Sequence, residues 1–261
     1  MKRKTRLSIL LILFAAIHLV WADCHVIDVH RFLRFENEQL LFSMKFKGLS
    51  TAKSRMSLQS KGDFVKILWT VHTRSIFNLL FHIDNRYESL IDRQSGELLE
   101  TMKKIDQKNI QQIFHIRYDW KNLQARTDDG LHWQVEKNCI DLLTMLYQIR
   151  AMDPGKTMNL DFLLDVESQL WQVKGTVKGR GKIDGPFSHL SARQIVLTFQ
   201  PSGQLKKRSW KTDLLTNRIA RPGGELVLWL GSPPEQLPLL IQFGAEGSVV
   251  QMKLQKAVNN Q

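Results

Sequence analysis

Val65-Lys66-Ile67-Leu68-Trp69-Thr70-Val71-His72 places Val65, Ile67, Trp69 and Val71 on one side of an extended chain and Lys66, Leu68, Thr70 and His72 on the other. A period of two belongs to a strand with one face on a core and the other in water; a helical face would repeat every 3.6 residues. The same spacing recurs on both sides of this stretch. Leu40, Phe42, Met44 and Phe46 alternate with Leu41, Ser43, Lys45 and Lys47, and Phe114, Ile116, Tyr118 and Trp120 alternate with His115, Arg117 and Asp119. Further along, Met158, Leu160, Phe162, Leu164 and Val166 share a face. They are followed by Trp171, Val173 and Val177; Ile195, Leu197 and Phe199; Leu226 to Leu230; Leu239, Ile241 and Phe243; and Val250, Met252 and Leu254. Asp129-Gly130, Asp184-Gly185, Pro201-Ser202-Gly203 and Gly223-Gly224 supply turn chemistry between them. Short strands joined by tight turns pair antiparallel, because parallel pairing needs long crossovers.

One segment breaks the period. Leu142, Leu143, Leu146 and Ile149 are spaced as one helical face, with Cys139 a turn earlier and Pro154-Gly155 as a stop. Asn138 is the expected cap, and Asp141 suits the positive end of the helix dipole. The spacing predicts an amphipathic helix over 139–151, with Gln148 toward solvent, between β-rich halves at about 36–136 and 157–255. The expected fold is mainly β: a single large antiparallel sheet curled into a barrel or clam, with the helix as a packing element or lid. Two separate domains are the alternative.

The N-terminus reads as an export signal. Lys2, Arg3, Lys4 and Arg6 precede the apolar run of residues 7–21, and Val20 and Ala22 are the small residues that signal peptidase requires. Residues 1–22 are therefore expected to be removed, leaving residues 23–261 as one β-rich domain in the periplasm with no transmembrane span. Asp23 spoils a lipid attachment site at Cys24. The formal charge of +12, less the four n-region cations, leaves about +8 on the mature chain. Nucleic acid is excluded as a partner by export; peripheral contact with an anionic membrane is compatible with that charge. Lys206-Lys207-Arg208-Ser209-Trp210-Lys211 is the densest basic cluster. Cys24 and Cys139 are the only cysteines. In an oxidising compartment they bridge, or one is buried and the other exposed.

Signatures of catalysis are missing: no HExxH, GxSxG, Walker loop or GxGxxG is present. No cofactor or metal site is expected. Asp84 and Asp92 are the acidic candidates for glycoside chemistry; strand-edge and turn roles are the plainer reading of both. His82 with Asp84 offers a lone pair for a metal, or a solvated strand face. Trp69, Trp120, Trp171, Trp229 and Tyr118 carry large aromatic area on core-facing positions, which a curled sheet covers with its own side chains or with an apolar ligand.

Several pieces stand in a recognisable order: Leu40–Gly48 followed by Ser54-Arg55-Met56, the run Asp84–Asp92, Asp141–Arg150 with its D-LL-x-x-LY-x-x-R pattern, Leu228-Trp229-Leu230 with Leu237-Pro238, and Gly247–Val250. Over roughly residues 36–256 the chain resembles the bacterial exported family called domain of unknown function 3108. It departs from the pattern at Gly231-Ser232-Pro233, where a Ser-Asp pair would follow the Trp-Leu. The resemblance implies an exported β-rich protein and brings no catalytic residues. The expectation is a non-enzymatic envelope protein that holds an apolar or amphipathic ligand, or an envelope protein partner, in the curl of its sheet. The alternatives are a glycan-active or carbohydrate-binding protein and a structural interaction protein without a pocket.

Overall fold

The computed structural model describes residues 29–46, 48–74, 77, 81–152, 159–205, 211–244 and 250–259. The signal segment, Cys24, the basic cluster at 206–210, Pro154-Gly155 and Met158 lie outside the described residues.

Alternation becomes strand wherever it was read. Fourteen strands follow: β1 (Glu38–Phe46), β2 (Leu49–Lys61), β3 (Phe64–Thr73), β4 (Asp84–Asp92), β5 (Leu98–Gln107), β6 (Ile110–Asp119), β7 (Gln124–Thr127), β8 (His132–Gln134), β9 (Asn159–Val166), β10 (Gln169–Gly181), β11 (Ala192–Pro201), β12 (Gly224–Gly231), β13 (Pro238–Phe243) and β14 (Val250–Asn259). The described helices are α1 (Val29–Leu33), α2 (Leu142–Ala151) and α3 (Leu214–Ile219). All strands join one sheet in the order β8-β7-β6-β5-β4-β3-β2-β1-β14-β13-β12-β11-β10-β9. It consists of two antiparallel meanders, β1–β8 and β9–β14, sewn together where β1 pairs with β14.

The two sheet edges meet through a strap rather than a strand pair. After β8, Ile140 donates its N–H to Leu163 O at 3.0 Å and accepts from Asp165 N at 2.9 Å. Beside it the Asp165 carboxylate accepts from Trp133 Nε1 at 2.9 Å and from Tyr118 OH at 3.2 Å. Inward side chains from both meanders and from the helices form one apolar cluster.

Inside the curl runs α2, packed against β3, β4, β9 and α1. Its surroundings correct three sequence expectations. The helix starts at Leu142, and its cap is Asp141, whose Oδ1 accepts from Thr144 N at 2.8 Å, rather than Asn138. Gln148 is buried, not solvated. Every residue from Leu143 to Ala151 is buried, and Leu142 half-buried, so the helix has no wet face. A lone helix on a sheet keeps one side in water; one enclosed by a sheet on several sides does not. Even Arg150 is internal: it forms a two-pronged bond with the Glu38 carboxylate at 2.7 and 2.9 Å, donates to Gln236 O at 3.0 Å, and lies over the Phe35 ring.

Candidate functional site

In an antiparallel meander the ends of odd strands and the starts of even strands share one end of the sheet. That geometry gathers Met44 and Phe46 from β1, Thr51 and Ala52 from β2, Val71 and Thr73 from β3, Ile83 and Asn85 at β4, and Val250 from β14 around a cavity of about 300 Å³. Leu214 and Leu215 of α3 complete the walls, with Phe77 and Phe81 of the β3–β4 connection; Phe81 is exposed at the mouth. The connection is clasped by Thr73, whose Oγ1 accepts from Ile83 N at 2.6 Å and lies 3.1 Å from Phe81 O. Gly224 allows α3 to approach β12, since a Cβ there would stand 2.1 Å from Ile219 O.

Apart from the hydroxyls of Thr51 and Thr73, the polar groups lie on the floor. Asn85 Nδ2 donates to Tyr87 OH at 3.0 Å and to Gln107 Oε1 at 3.3 Å, and its Oδ1 accepts from Asp106 N at 3.0 Å. Beside them Asp213 caps α3, accepting from Leu215 N at 2.8 Å and Thr216 N at 3.0 Å. Lys103 of β5 reaches behind the floor to Asp213 at 2.5 Å, to Thr216 Oγ1 at 2.6 Å, and to Glu167. Burial alone would raise the Asp213 pKa. The Lys103 charge and hydrogen bond, with bonds from Thr216, more than offset it and hold the carboxyl at about 2. Glu167 and Ser168 form the β9–β10 turn with φ of 53° and 69°. Positive φ at both turn residues normally calls for Asn or Gly. Here the Glu167 side chain is held by Lys103 and by the Thr212 hydroxyl.

The sequence candidates are placed as follows. Trp69 is buried, stacked on Tyr87 at 4.9 Å and on Phe243 at 6.2 Å, and donates to Ser54 Oγ. Trp171 is fully buried. Tyr118 and Trp120 stack at 5.6 Å, and Trp120 Nε1 donates to Leu98 O. Trp229 is half-buried on the opposite face of β12 from Leu228 and Leu230, with its ring over Gly181. None of these five lines the 300 Å³ cavity, whose walls are phenylalanine and aliphatic. Asp84 and Asp92 stand at opposite ends of β4, roughly 26 Å apart at the usual rise per residue, well beyond the carboxyl separations of roughly 5–9.5 Å found in glycosidases. Asp84 pairs with His72 at 2.7 Å, and Asp92 accepts from Gln94 N and Ser95 N in a turn. His82 meets Asp106 at 3.5 Å rather than Asp84. Cys139 is buried, and burial pushes its thiol well up, so it is no ready nucleophile. Its expected partner Cys24 lies outside the described residues. Sequence reading missed Asn85, Gln107, Lys103 and Asp213. The one available signal was Asp213 directly before Leu214-Leu215, a helix-cap pattern.

Among the described residues no helix is long and apolar enough to cross a membrane. No curated protein matches the chain. Among solved structures, the beta-barrel-like protein of domain of unknown function DUF1849 from Brucella abortus is similar. The TM-score is 0.59 at 7% identity, over 86% of this chain and 98% of that one. At that identity the likeness shows the fold alone. The family described as protein of unknown function DUF3108 matches residues 41–255.

Proposed function

The chain belongs to the DUF3108 family of proteins of unknown function, and from the geometry of its barrel mouth we propose that it binds the apolar part of a small amphipathic ligand. The carrying observation is the cavity of about 300 Å³, with mostly Phe, Met, Val and Leu walls and its amide and carboxylate groups on the floor. Small-molecule sites have this character: an apolar concavity with a few fixed polar groups that set orientation. Asn85 and Gln107 supply neutral amides at the deep end. Phe81 and Phe46 stand at the rim, where the rest of an amphipathic molecule would emerge. The N-terminal sequence supports a periplasmic setting for this binding, and the absence of catalytic signatures supports carriage over turnover.

Ala52 is nearly fully buried against the cavity, so Ala52→Trp fills it from the wall. Wild-type protein isolated from the cell envelope should retain a small amphipathic molecule in native mass spectrometry and should enhance the fluorescence of N-phenyl-1-naphthylamine. The variant should lose both and still melt cooperatively. Retention of both by a folded Ala52→Trp protein would remove the cavity as the site. A wild-type protein that takes up neither ligand nor dye would remove the reading altogether.

A further inference from the structure

A second concavity, of about 950 Å³, lies on the outer face of the sheet, across β14, β1, β2, β3 and β4. We propose that it is a binding groove for an anionic polysaccharide. Strand register sets its charge pattern. Lys256 pairs with Leu41, Leu41 with Arg55, Arg55 with Thr70, and Thr70 with Arg86. One rung across the sheet therefore carries a cation on every second strand. Neighbouring strands lie ~4.8 Å apart, so these cations repeat at ~10 Å. Lys53 sits two residues from Arg55 on the same face, and Arg74 lies at the end of β3.

Two carboxylates stand beside this face and partly neutralise its β4 end. Asp84 pairs with His72, and Glu88 pairs with Lys66 and Arg86. Lys53, Arg55, Arg74 and Lys256 have no carboxylate partner among the described residues. Lys53 and Arg55, two residues apart on one strand, lie ~7 Å from each other, within the Debye length of ~8 Å at physiological salt, so their fields add. The cations ~10 Å away along the rung are more screened from one another, and a concave low-dielectric wall focuses the field onto a polyanion.

Chemistry selects among polyanions. Membrane-surface binding uses exposed aromatic or aliphatic side chains that enter the interface. The groove's outward apolar residues, Leu41 and Leu68, are half-buried, and a concave face does not sit on a plane. Single-stranded nucleic acid needs exposed aromatic rings for its bases, yet Phe42 at the groove wall is almost fully buried and Trp69 of β3 is buried. Duplex DNA presents a charge every ~1.7 Å of axis, far denser than this lattice. A glycan with one acidic group per disaccharide and hydroxyls between suits sparse cations separated by Ser43 and Thr70.

The test uses full-length mature protein and hyaluronan oligosaccharides as the sparsely charged probe, titrated at physiological ionic strength. Lys53→Glu combined with Arg55→Glu should weaken binding by about tenfold or more, equivalent to about 1.4 kcal/mol. Lys174→Glu with Lys178→Glu, exposed on β10 and equal in net-charge change, should change it by less than about twofold. Thermal melts confirm that both variants fold; all four side chains are exposed. Equal losses in the two variants would reduce the effect to net charge and overturn the groove. So would no hyaluronan binding, or groove-dependent binding that prefers a short DNA duplex or phosphatidylglycerol vesicles. The dye assay for the mouth cavity should be unaffected by Lys53→Glu with Arg55→Glu, so this proposal and the proposed ligand cavity fail independently.

Discussion

Lys103 holds two carboxylates, Glu167 and Asp213, that have almost no access to water. A buried ion pair is poor evidence of net stabilisation, but breaking one leaves charge without a counterion. Lys103→Met should therefore cost about 3–5 kcal/mol in urea unfolding, far more than loss of an exposed lysine. Asp213 also gives the pair a pH signature. Its folded pKa of about 2 lies below the usual carboxylate value. Stability from its ionised form is complete above an unfolded pKa of about 3.9, declines as pH falls, and is gone below the folded pKa. The stability lost across that window is about 2–3 kcal/mol. In a Lys103→Met protein the attraction that depresses the pKa is missing, so urea midpoints followed from pH 5 to pH 2 (about the range of a carboxylate) should fall less steeply than in wild type. An unchanged slope would mean that other carboxylates dominate acid unfolding.

Helix α2 shows how an element can be legible in type and misread in setting. Its apolar spacing was clear, and Leu146 is buried as that spacing requires. Leu146→Ala should cost about 2–5 kcal/mol by thermal or urea unfolding, the range for a buried leucine truncation. The buried Gln148 was misread because sequence periodicity carries no information on how many neighbours surround a helix. The cap is separable from its charge. Burial raises the Asp141 pKa despite bonds from Ser89 and Thr144. Any stability linked to its protonation is present below the unfolded pKa and lost as pH rises through the folded value, so at neutral pH the charge itself is a cost. Asp141→Asn keeps a side-chain oxygen for Thr144 N and should be neutral or stabilising at pH 7, whereas Asp141→Ala should lose about 0.5–2 kcal/mol. A large loss in the Asn variant would show that the carboxylate charge is itself required. The strands divide in the same way. β3 and β6 were legible from Trp69 and Tyr118 with their neighbours. β2 and β5 were not, because their inward rows include Ser54 on one and Thr101, Lys103 and Gln107 on the other. Polar inward residues erase the period-two signal; Gln107 is part of the cavity floor and Lys103 stands behind it, held to Asp213. The candidate site was hidden by the same polar residues that form and back its floor.

At the scale of the whole molecule, the order β8 to β1 followed by β14 to β9 makes the chain's last strand the seam between its two halves. Neither meander closes alone: the first ends at β8, the second at β9, and the Ile140 strap, which leads directly into α2, joins those edges. Arg150 of α2 also ties Glu38 of the first half to the backbone at Gln236 of the second, and the Tyr118 and Trp133 bonds to Asp165 cross from one half to the other directly. These shared contacts predict a single unfolding transition for residues 23–261, with calorimetric and van't Hoff enthalpies equal. Val250, Met252 and Leu254 of β14 are buried, and burying a side chain of this size contributes ~1.5–3 kcal/mol. Their combined loss, roughly 5–9 kcal/mol, is comparable to the ~5–15 kcal/mol by which a domain is stable. Deletion from Val250 onward also exposes the hydrogen-bonding edges of β1 and β13 together. Scanning calorimetry and near-UV circular dichroism should then find no cooperative transition and no fixed aromatic environment, including around Trp171 in the half distant from β1. A truncated protein that melts in one step while keeping the Trp171 signal would show that β9–β13 fold without the seam. Two separable transitions in the uncut chain would show that the halves are independent domains on a shared sheet.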